Sequence, residues 1–227
     1  ASESGARSTP CAVALGGTGE CVVGDAALSQ AAKNPAATVP RALSCLPRSE
    51  DDEAALKKRL TTHGAGKVVV DGATLQLAKT VWDEDGDETE VTASLSGADV
   101  VSKILGELRC RIADFLGADA KEVLCCVLAA PADILNDVVS RKALLDAAAQ
   151  AGLRVLQVVD EGDSVASFAA QDDQECDSVV VVDVGGTRAK ATSYTRHATG
   201  ILERAKCQED SSLSGDAFTS CLYDFAA

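Results

Sequence analysis

The chain has 227 residues, of which 46% are hydrophobic and only 3% aromatic, so a core has to be built mainly from Ala, Val and Leu. A net charge of −14, from 35 acidic and 21 basic residues, argues against nucleic acid or an anionic membrane as a partner through bulk charge. No apolar stretch approaches the ~20 residues that cross a bilayer, and no signal peptide opens the chain, so no membrane contact is expected.

The cysteines and histidines indicate a reducing compartment rather than a metal centre. Nine cysteines are scattered without a CxxC pair, and the two histidines, His63 and His197, do not supply zinc-site spacing. The cysteines are predicted to be buried, reduced thiols of a cytoplasmic protein. The chain contains no methionine, not even at position 1, so we expect it to begin inside a longer protein.

The first hundred residues are predicted to form short strands and helices joined by turns. Residues 11–15 and 21–23 form a predicted hairpin, and the Asp71-Gly72 dipeptide is typical of another between two short strands. The acidic run at 83–90 is predicted to be a solvated loop rather than a calcium site. The remaining pieces are strands at 67–70 and 74–77, a helical patch at 26–33, an ordered segment at 38–46 and a charged surface helix at 53–60.

From Ser96 onward the pattern changes to longer helices alternating with apolar strands. Ser96 is a predicted cap for an amphipathic helix whose apolar residues continue to Phe115, and Gly117 ends this helix. A later strand delivers Asp160 and Glu161 to its C-terminal end. The predicted elements are strands at 123–129 (stopped by Pro131) and 155–159, helices at 139–151, 165–170 and 215–225, and a meander near 179–183, 189–195 and 200–206.

The stretch SVVVVDVGGTRAKAT carries the clearest chemical signal. Its four valines, predicted to form a strand buried on both faces, lead into Asp183 and then into Gly185, Gly186 and Thr187. Such glycines let backbone N–H groups approach phosphate oxygens, and an aspartate can hold Mg²⁺ through water. A plain hairpin turn after an aspartate fits these residues equally well. Two α/β lobes with a crevice between them would bring Glu161 and Asp183 to one site.

The order of several motifs resembles the nucleotide-binding domain of the 70-kDa heat-shock chaperone family. Residues 23–35, VGDAALSQAAKNP, are similar to the family's IGDAAKNQVAMNP, and residues 213–218, LSGDAF, are similar to LGGEDF. Residues 182–187 resemble FDLGGGT. Further matches lie at 1–10, 115–117, 129–132 and 151–161, in the family's order and close to its spacing.

The resemblance implies an α/β, actin-like ATPase (ribonuclease H-like) fold with two lobes around a nucleotide cleft. It implies ATP or ADP and Mg²⁺ as cofactors. An incomplete nucleotide-binding domain is expected, with the first phosphate loop before Ala1 and the adenine-binding half beyond Ala227. By the same resemblance, residues 1–172 would form most of lobe I, with 1–10 and 101–172 in its inner subdomain and 11–100 in its outer subdomain. Residues 173–227 would begin the inner subdomain of lobe II.

Carried over to this sequence, the family's roles fall on a small set of residues. Glu161 matches the carboxylate beside the metal and the attacking water, and Asp183 matches the aspartate that holds Mg²⁺ through water near the phosphates. Pro131 and Arg141 match the proline and arginine that relay the nucleotide state. The phosphate loop, one residue short, corresponds to Gly185, Gly186, Thr187 and Arg188.

Three departures from the family pattern bear on hydrolysis. Arg188 stands where the family has threonine, and Lys190 stands where it has a second aspartate. The place of the catalytic lysine is taken by Leu43, and Arg41 is the only base near it in the sequence. Because that lysine offers a point charge to the γ-phosphate, its loss should raise the barrier to hydrolysis.

The leading hypothesis is therefore a divergent heat-shock-like co-chaperone that binds ATP with weak or absent hydrolysis and assists protein folding with a J-domain partner. The reduced loop favours the ribosome-associated Ssz-like subgroup, with any ribosome contact running through that partner rather than through RNA. The alternatives are an active chaperone ATPase in which Arg41 or Arg188 replaces the lysine, a repressor/kinase-type sugar kinase, which also carries a D-x-GGT loop, and a nucleotide-free scaffold.

Overall fold

The computed structural model describes residues 8–62, 64–82, 85–117, 119, 122, 125–172 and 176–226. These residues form a mixed α/β structure with several small sheets. The chain divides into two compact units, one of residues 1–128 and 133–157 and the other of residues 129–132 and 158–227. The lobe and subdomain boundaries implied by the family resemblance stay a prediction.

A small antiparallel sheet opens the first unit and confirms the predicted hairpin. Strand β1 (Val13–Leu15) pairs with β2 (Cys21–Val23) on one side and with β3 (Thr38–Val39) on the other. The predicted helical patch is shorter than expected, because α1 (Asp25–Leu28) ends before a series of turns. The segment expected at 38–46 is β3 followed by a 3-10 helix, Ala42–Cys45.

The second sheet of this unit is a meander in which one strand was not predicted. Strand β4 (Val69–Asp71) turns through Gly72, at φ 58°, into β5 (Thr74–Trp82), which confirms the hairpin. Strand β5 then pairs along its whole length with β6 (Glu88–Ser96). The sequence signal for β6 is weak because polar residues dominate it and none of its side chains is fully buried.

Three longer helices belong to the first unit. Helix α2 (Glu53–Thr62) and α5 (Val138–Gln150) match their predicted positions closely. Helix α3 (Gly97–Leu116) begins at the predicted cap, where Asp99 N donates to Ser96 Oγ at 3.1 Å and Ser96 N donates to Asp99 Oδ2 at 2.8 Å. It ends at Gly117, whose φ of 64° requires glycine. Its predicted apolar stripe is buried only in the first half, and Phe115 is exposed.

Two strands cross the division between the units and carry the chain to the candidate site. They are β7 (Cys125–Ala130) and β8 (Arg154–Asp160), which form a two-stranded sheet. Predicted residues 123 and 124 of β7 lie outside the described residues. The short helix α4 (Ala132–Leu135) follows Pro131, which confirms that β7 stops there.

The second unit consists of α6 (Glu161–Asp172), β9 (Ser178–Val184), β10 (Ala189–Arg196), β11 (Leu202–Asp210) and α7 (Gly215–Ala226). The three strands form an antiparallel sheet in the order β11-β10-β9, so the predicted meander and last helix are confirmed. Helix α6 packs against β9, and the core of the unit contains Ala166, Val181 and Tyr194.

Two predictions about burial were wrong. The valine run is not buried on both faces: Val181 is buried, but Val180, Val182 and Val184 are more than half exposed. Alternate side chains of a strand point to opposite faces, and α6 packs against the face that carries Val181. The nine cysteines are free thiols, but only Cys45 is buried, because most of the others lie on helix surfaces and sheet edges with little apolar cover.

Among the described residues, no helix is both long and apolar enough to cross a membrane. Within the same residues, no three Cys, His, Asp or Glu side chains lie together in a way that could hold a metal ion.

Candidate functional site

The glycine loop connects two paired strands of the second unit. Strands β9 and β10 are antiparallel, with Val184 opposite Ala189, and Gly185 N donates a hydrogen bond to Arg188 O at 2.9 Å across the connection. The two interpretations of the motif are therefore compatible, because the loop is a hairpin connection and can still bind an anion.

The first residues of α7 fix the orientation of this loop. Gly215 N donates to Gly185 O at 3.1 Å, and Asp216 N donates to Gly186 O at 2.9 Å. The described peptide bonds are trans, and in a trans peptide the C=O and the following N–H point in opposite directions. Because both carbonyls point to α7, the N–H groups of Gly186 and Thr187 point away from it. This geometry leaves two neighbouring backbone donors directed away from the helix.

A cavity of about 130 Å³ lies against the loop, inside the second unit. Pockets for drug-sized ligands are about 300–1,000 Å³, so this cavity suits a phosphate group rather than a whole nucleotide. Most of the residues that the sequence singled out meet there. Its lining consists of Pro131, Ala132, Glu161, Asp183, Gly185, Thr187, Arg188, Lys190 and Glu209.

Two of the three carboxylates in the lining are residues that the sequence singled out, and they reach the cavity from different elements. Glu161 is the first residue of α6 and directly follows β8, so its charge lies at a helix N-terminus, where a negative charge is favourable. Asp183 lies near the end of β9, one residue before the loop. The sequence expectation that Glu161 and Asp183 face one site agrees with their common place in the lining.

Two cations also line the cavity. Arg188, in the loop, forms an ion pair with Glu209 of β11, with 3.1 Å between Arg188 Nη1 and Glu209 Oε2, and both side chains are about one-third exposed. Lys190, in β10, is much less exposed, with 12% of its side chain accessible. The lining thus carries both signs of charge, and Arg188 and Lys190 are the charged groups in it that can donate to a phosphate.

The sequence did not indicate the partner of Lys190. Lys190 Nζ donates to both carboxylate oxygens of Asp160, at 3.2 and 3.1 Å, and only 6% of the Asp160 side chain is exposed. Asp160 Oδ1 also accepts from Gly162 N at 2.8 Å. Burial alone would raise the pKa of Asp160, but the hydrogen bonds from Lys190 and Gly162 outweigh burial and lower it. Asp160 is therefore a carboxylate that folding stabilises in its charged form.

The ion pair between Lys190 and Asp160 belongs to a larger polar cluster with residues from β10, β11 and α6. Arg204 Nη2 lies 3.4 Å from Asp160 Oδ1 and 2.6 Å from Asp163 Oδ1, and Tyr194 OH donates to Asp163 at 2.9 Å. Burial and the bond to Asp163 raise the pKa of Tyr194 to about 12. A usable signal existed in the sequence, because Lys190 and Tyr194 lie four residues apart in one strand and so share a face.

The other predicted site residues belong to the first unit. Arg141 is an exposed residue of α5, and Leu43 and Arg41 lie in or beside the 3-10 helix Ala42–Cys45. Their roles toward the cavity stay predictions. Of the two bases considered as substitutes for the missing lysine, only Arg188 lines the cavity.

The residues at the cavity fit the family's two cofactors, a nucleotide and Mg²⁺, to different degrees. The cavity, the two loop N–H groups and the two cations fit the phosphate groups of a nucleotide. They do not fit Mg²⁺ equally well, because the strand residue directly opposite Asp183 is the positively charged Lys190.

A family model for the Hsp70 protein matches residues 1–227. The family implies the actin-like ATPase fold, and the mixed α/β structure with its small sheets is consistent with that fold. Nucleotide-binding domains of this family generally bind ATP or ADP with Mg²⁺. Because the match extends over all 227 residues, this chain belongs to the Hsp70 family and represents a chaperone nucleotide-binding domain.

Proposed function

We propose that this domain binds ATP through its phosphate groups at the glycine loop and hydrolyses it weakly or not at all. The observation that carries the proposal is the cavity beside Gly185 and Thr187, which Arg188 and Lys190 also line. Charge-assisted hydrogen bonds from such cations are about twice as strong as neutral ones, so they contribute strongly to holding a phosphate.

Weak hydrolysis follows from the residues that surround the expected reaction centre. The sequence places Leu43 where the family has its catalytic lysine and Lys190 where it has a second aspartate. Leucine cannot stabilise charge on the γ-phosphate, and a lysine, which has only hydrogen-bond donors, cannot do the work of the second aspartate. Glu161 matches the family's carboxylate beside the attacking water, but the sequence has replaced both the catalytic lysine and the second aspartate.

A second candidate is an active ATPase, and one observation favours it. Arg188 lines the cavity, and an arginine near a transferred phosphoryl group can stabilise the transition state in place of lysine. Its ion pair with Glu209 opposes this role, because that carboxylate competes with phosphate for the guanidinium.

The partners proposed for this domain rest on the resemblance. They are a J-domain co-chaperone and, for a member of the Ssz-like subgroup, the ribosome reached through that partner. A net charge of −14 supports an indirect ribosome contact, since this domain would repel RNA. A cytoplasmic location is part of the same proposal.

Turnover of ATP distinguishes the two candidates. We expect the intact protein to hydrolyse ATP slowly, and Glu161→Ala to change the rate by less than about threefold, because general-base catalysis contributes little where the charge-stabilising lysine is missing. The measurement is phosphate release under single-turnover conditions. Asp224→Ala, which removes an exposed carboxylate of α7, is the matched control.

Ordinary chaperone-level turnover that falls about a hundredfold or more in Glu161→Ala would contradict weak hydrolysis and support the active ATPase. In that case Arg188→Gln should also lower the rate, because Arg188 is the candidate substitute for the lysine.

A further inference from the structure

Lys190 lies between two carboxylates across the three-stranded sheet. In the strand register Lys190 is directly opposite Asp183 of β9 on one side and directly opposite Glu209 of β11 on the other. Directly opposite side chains share a face, with Cβ atoms about 5 Å apart. All three residues line the cavity, so its wall contains a positive charge between two negative ones.

Asp160 fixes the position of this ammonium group. Both of its carboxylate oxygens accept from Lys190 Nζ, and the two side chains are 12% and 6% exposed, so the pair is nearly withdrawn from water. Arg204 and Gly162 N supply further contacts to Asp160 Oδ1, which hold the carboxylate itself in place. Asp160 is thus a positioning residue, and Lys190 is the group that reaches the cavity.

We propose that Lys190 supplies the fixed positive charge that Mg²⁺ supplies elsewhere in the family, so that this site binds nucleotide phosphates without a divalent cation. The inference rests on the proposed function and adds that the site has replaced its metal by a side chain.

The surroundings of Lys190 oppose a metal for two reasons. The ammonium group carries the same sign of charge as Mg²⁺ and lies on the same face as Asp183, the expected ligand. Asp160, the nearest carboxylate, already has both oxygens engaged by Lys190. Magnesium requires near-octahedral oxygen coordination, and the two Asp160 oxygens that accept from Lys190 are not open to it.

If the ion pair between Lys190 and Asp160 served stability alone, a different result would be expected. Lys190 would then have no contact with phosphate, and nucleotide binding would keep the divalent-cation dependence of the family. The place of Lys190 in the cavity lining favours the binding role.

Calorimetric titration of the intact protein with ATP, in Mg²⁺ and in EDTA, tests the inference. For the unmodified protein we expect dissociation constants that agree within about threefold. Lys190→Gln should weaken binding in EDTA by about tenfold or more, since it removes a charged hydrogen-bond donor, and Mg²⁺ should recover part of that loss. Lys206→Gln, an exposed site on β11 outside the cavity, should leave both constants unchanged.

The outcomes separate the two proposals. Binding of ATP by the unmodified protein only in Mg²⁺ would overturn the metal-free site but leave nucleotide binding intact. Absence of binding in both solutions would overturn the proposed function and this inference with it. Because Lys190→Gln could lower stability, thermal unfolding of each variant is followed with and without Mg²⁺. If Lys190 replaces the metal, Mg²⁺ should raise Tm more in Lys190→Gln than in the unmodified protein. Equal rises in Tm would contradict the inference.

Discussion

Replacing Gly97 by alanine is expected to lower the free energy of unfolding by about 3 kcal/mol or more. A Cβ atom at Gly97 would lie 1.9 Å from Cys45 O and 2.6 Å from Cys45 C, which are backbone atoms of the 3-10 helix Ala42–Cys45. Backbone cannot rotate away as a flexible side chain can, so the start of α3 and this helix would have to separate. Chemical denaturation of the intact protein, followed by circular dichroism, measures the loss.

Gly106 of the same helix provides the matched control. A Cβ atom there would meet nothing within 4 Å, so Gly106→Ala should stabilise the protein by about 0.5–1 kcal/mol through helix propensity. Equal effects of the two substitutions would show that the close approach of α3 to the segment that contains Leu43 is not a constraint.

Removing the carboxylate of Asp160 is expected to cost about 3 kcal/mol at pH 7. Asp160→Ala leaves the nearly buried Lys190 without its acceptor and takes from Arg204 one of its two carboxylates. Lys190→Met breaks the same ion pair from the other side, but Asp160 then keeps Gly162 N and Arg204 as partners. We therefore expect the lysine variant to lose at least about 1 kcal/mol less than the aspartate variant.

The loss of stability caused by Asp160→Ala should become smaller at low pH. The hydrogen bonds that Asp160 accepts lower its pKa in the folded state despite burial. A carboxylate of this kind stabilises the fold above its unfolded pKa of about 3.9, and the contribution is lost as pH falls through the folded value. The difference in stability between the unmodified protein and Asp160→Ala should shrink below about pH 4. A difference that stays constant from pH 7 to pH 3 would contradict a structural role for the charged form.

Local sequence patterns predicted the ends of elements well. Ser96 and Gly117 bound α3 as expected, because capping hydrogen bonds and a positive φ depend on residues within a few positions of each other. The sequence does not predict strand β6, because this strand is defined by its pairing with β5 rather than by an apolar pattern of its own. The valine run predicts a strand with two buried faces, but the structure buries only one of them, because residue type does not show which face a helix will cover.

The candidate site was predictable only in part, for a similar reason. The loop residues and Asp183 are adjacent in sequence, so a glycine-turn motif was enough to find them. Lys190 and Asp160 are 30 residues apart, and their ion pair exists only because β10 and the last residues of β8, 158–160, belong to one folded unit. The sequence alone therefore shows Lys190 only as a departure that bears on hydrolysis, whereas the structure places it in the wall of the cavity.

Binding of nucleotide phosphate groups in the cavity beside the glycine loop is tested most directly by calorimetry, with ATP, ADP and adenosine as ligands of the intact protein. Because the cavity offers its charges and backbone donors to phosphate, we predict that affinity falls by about tenfold or more from ATP to adenosine. Adenosine binding as tightly as ATP, or no detectable binding of ATP, would contradict the claim.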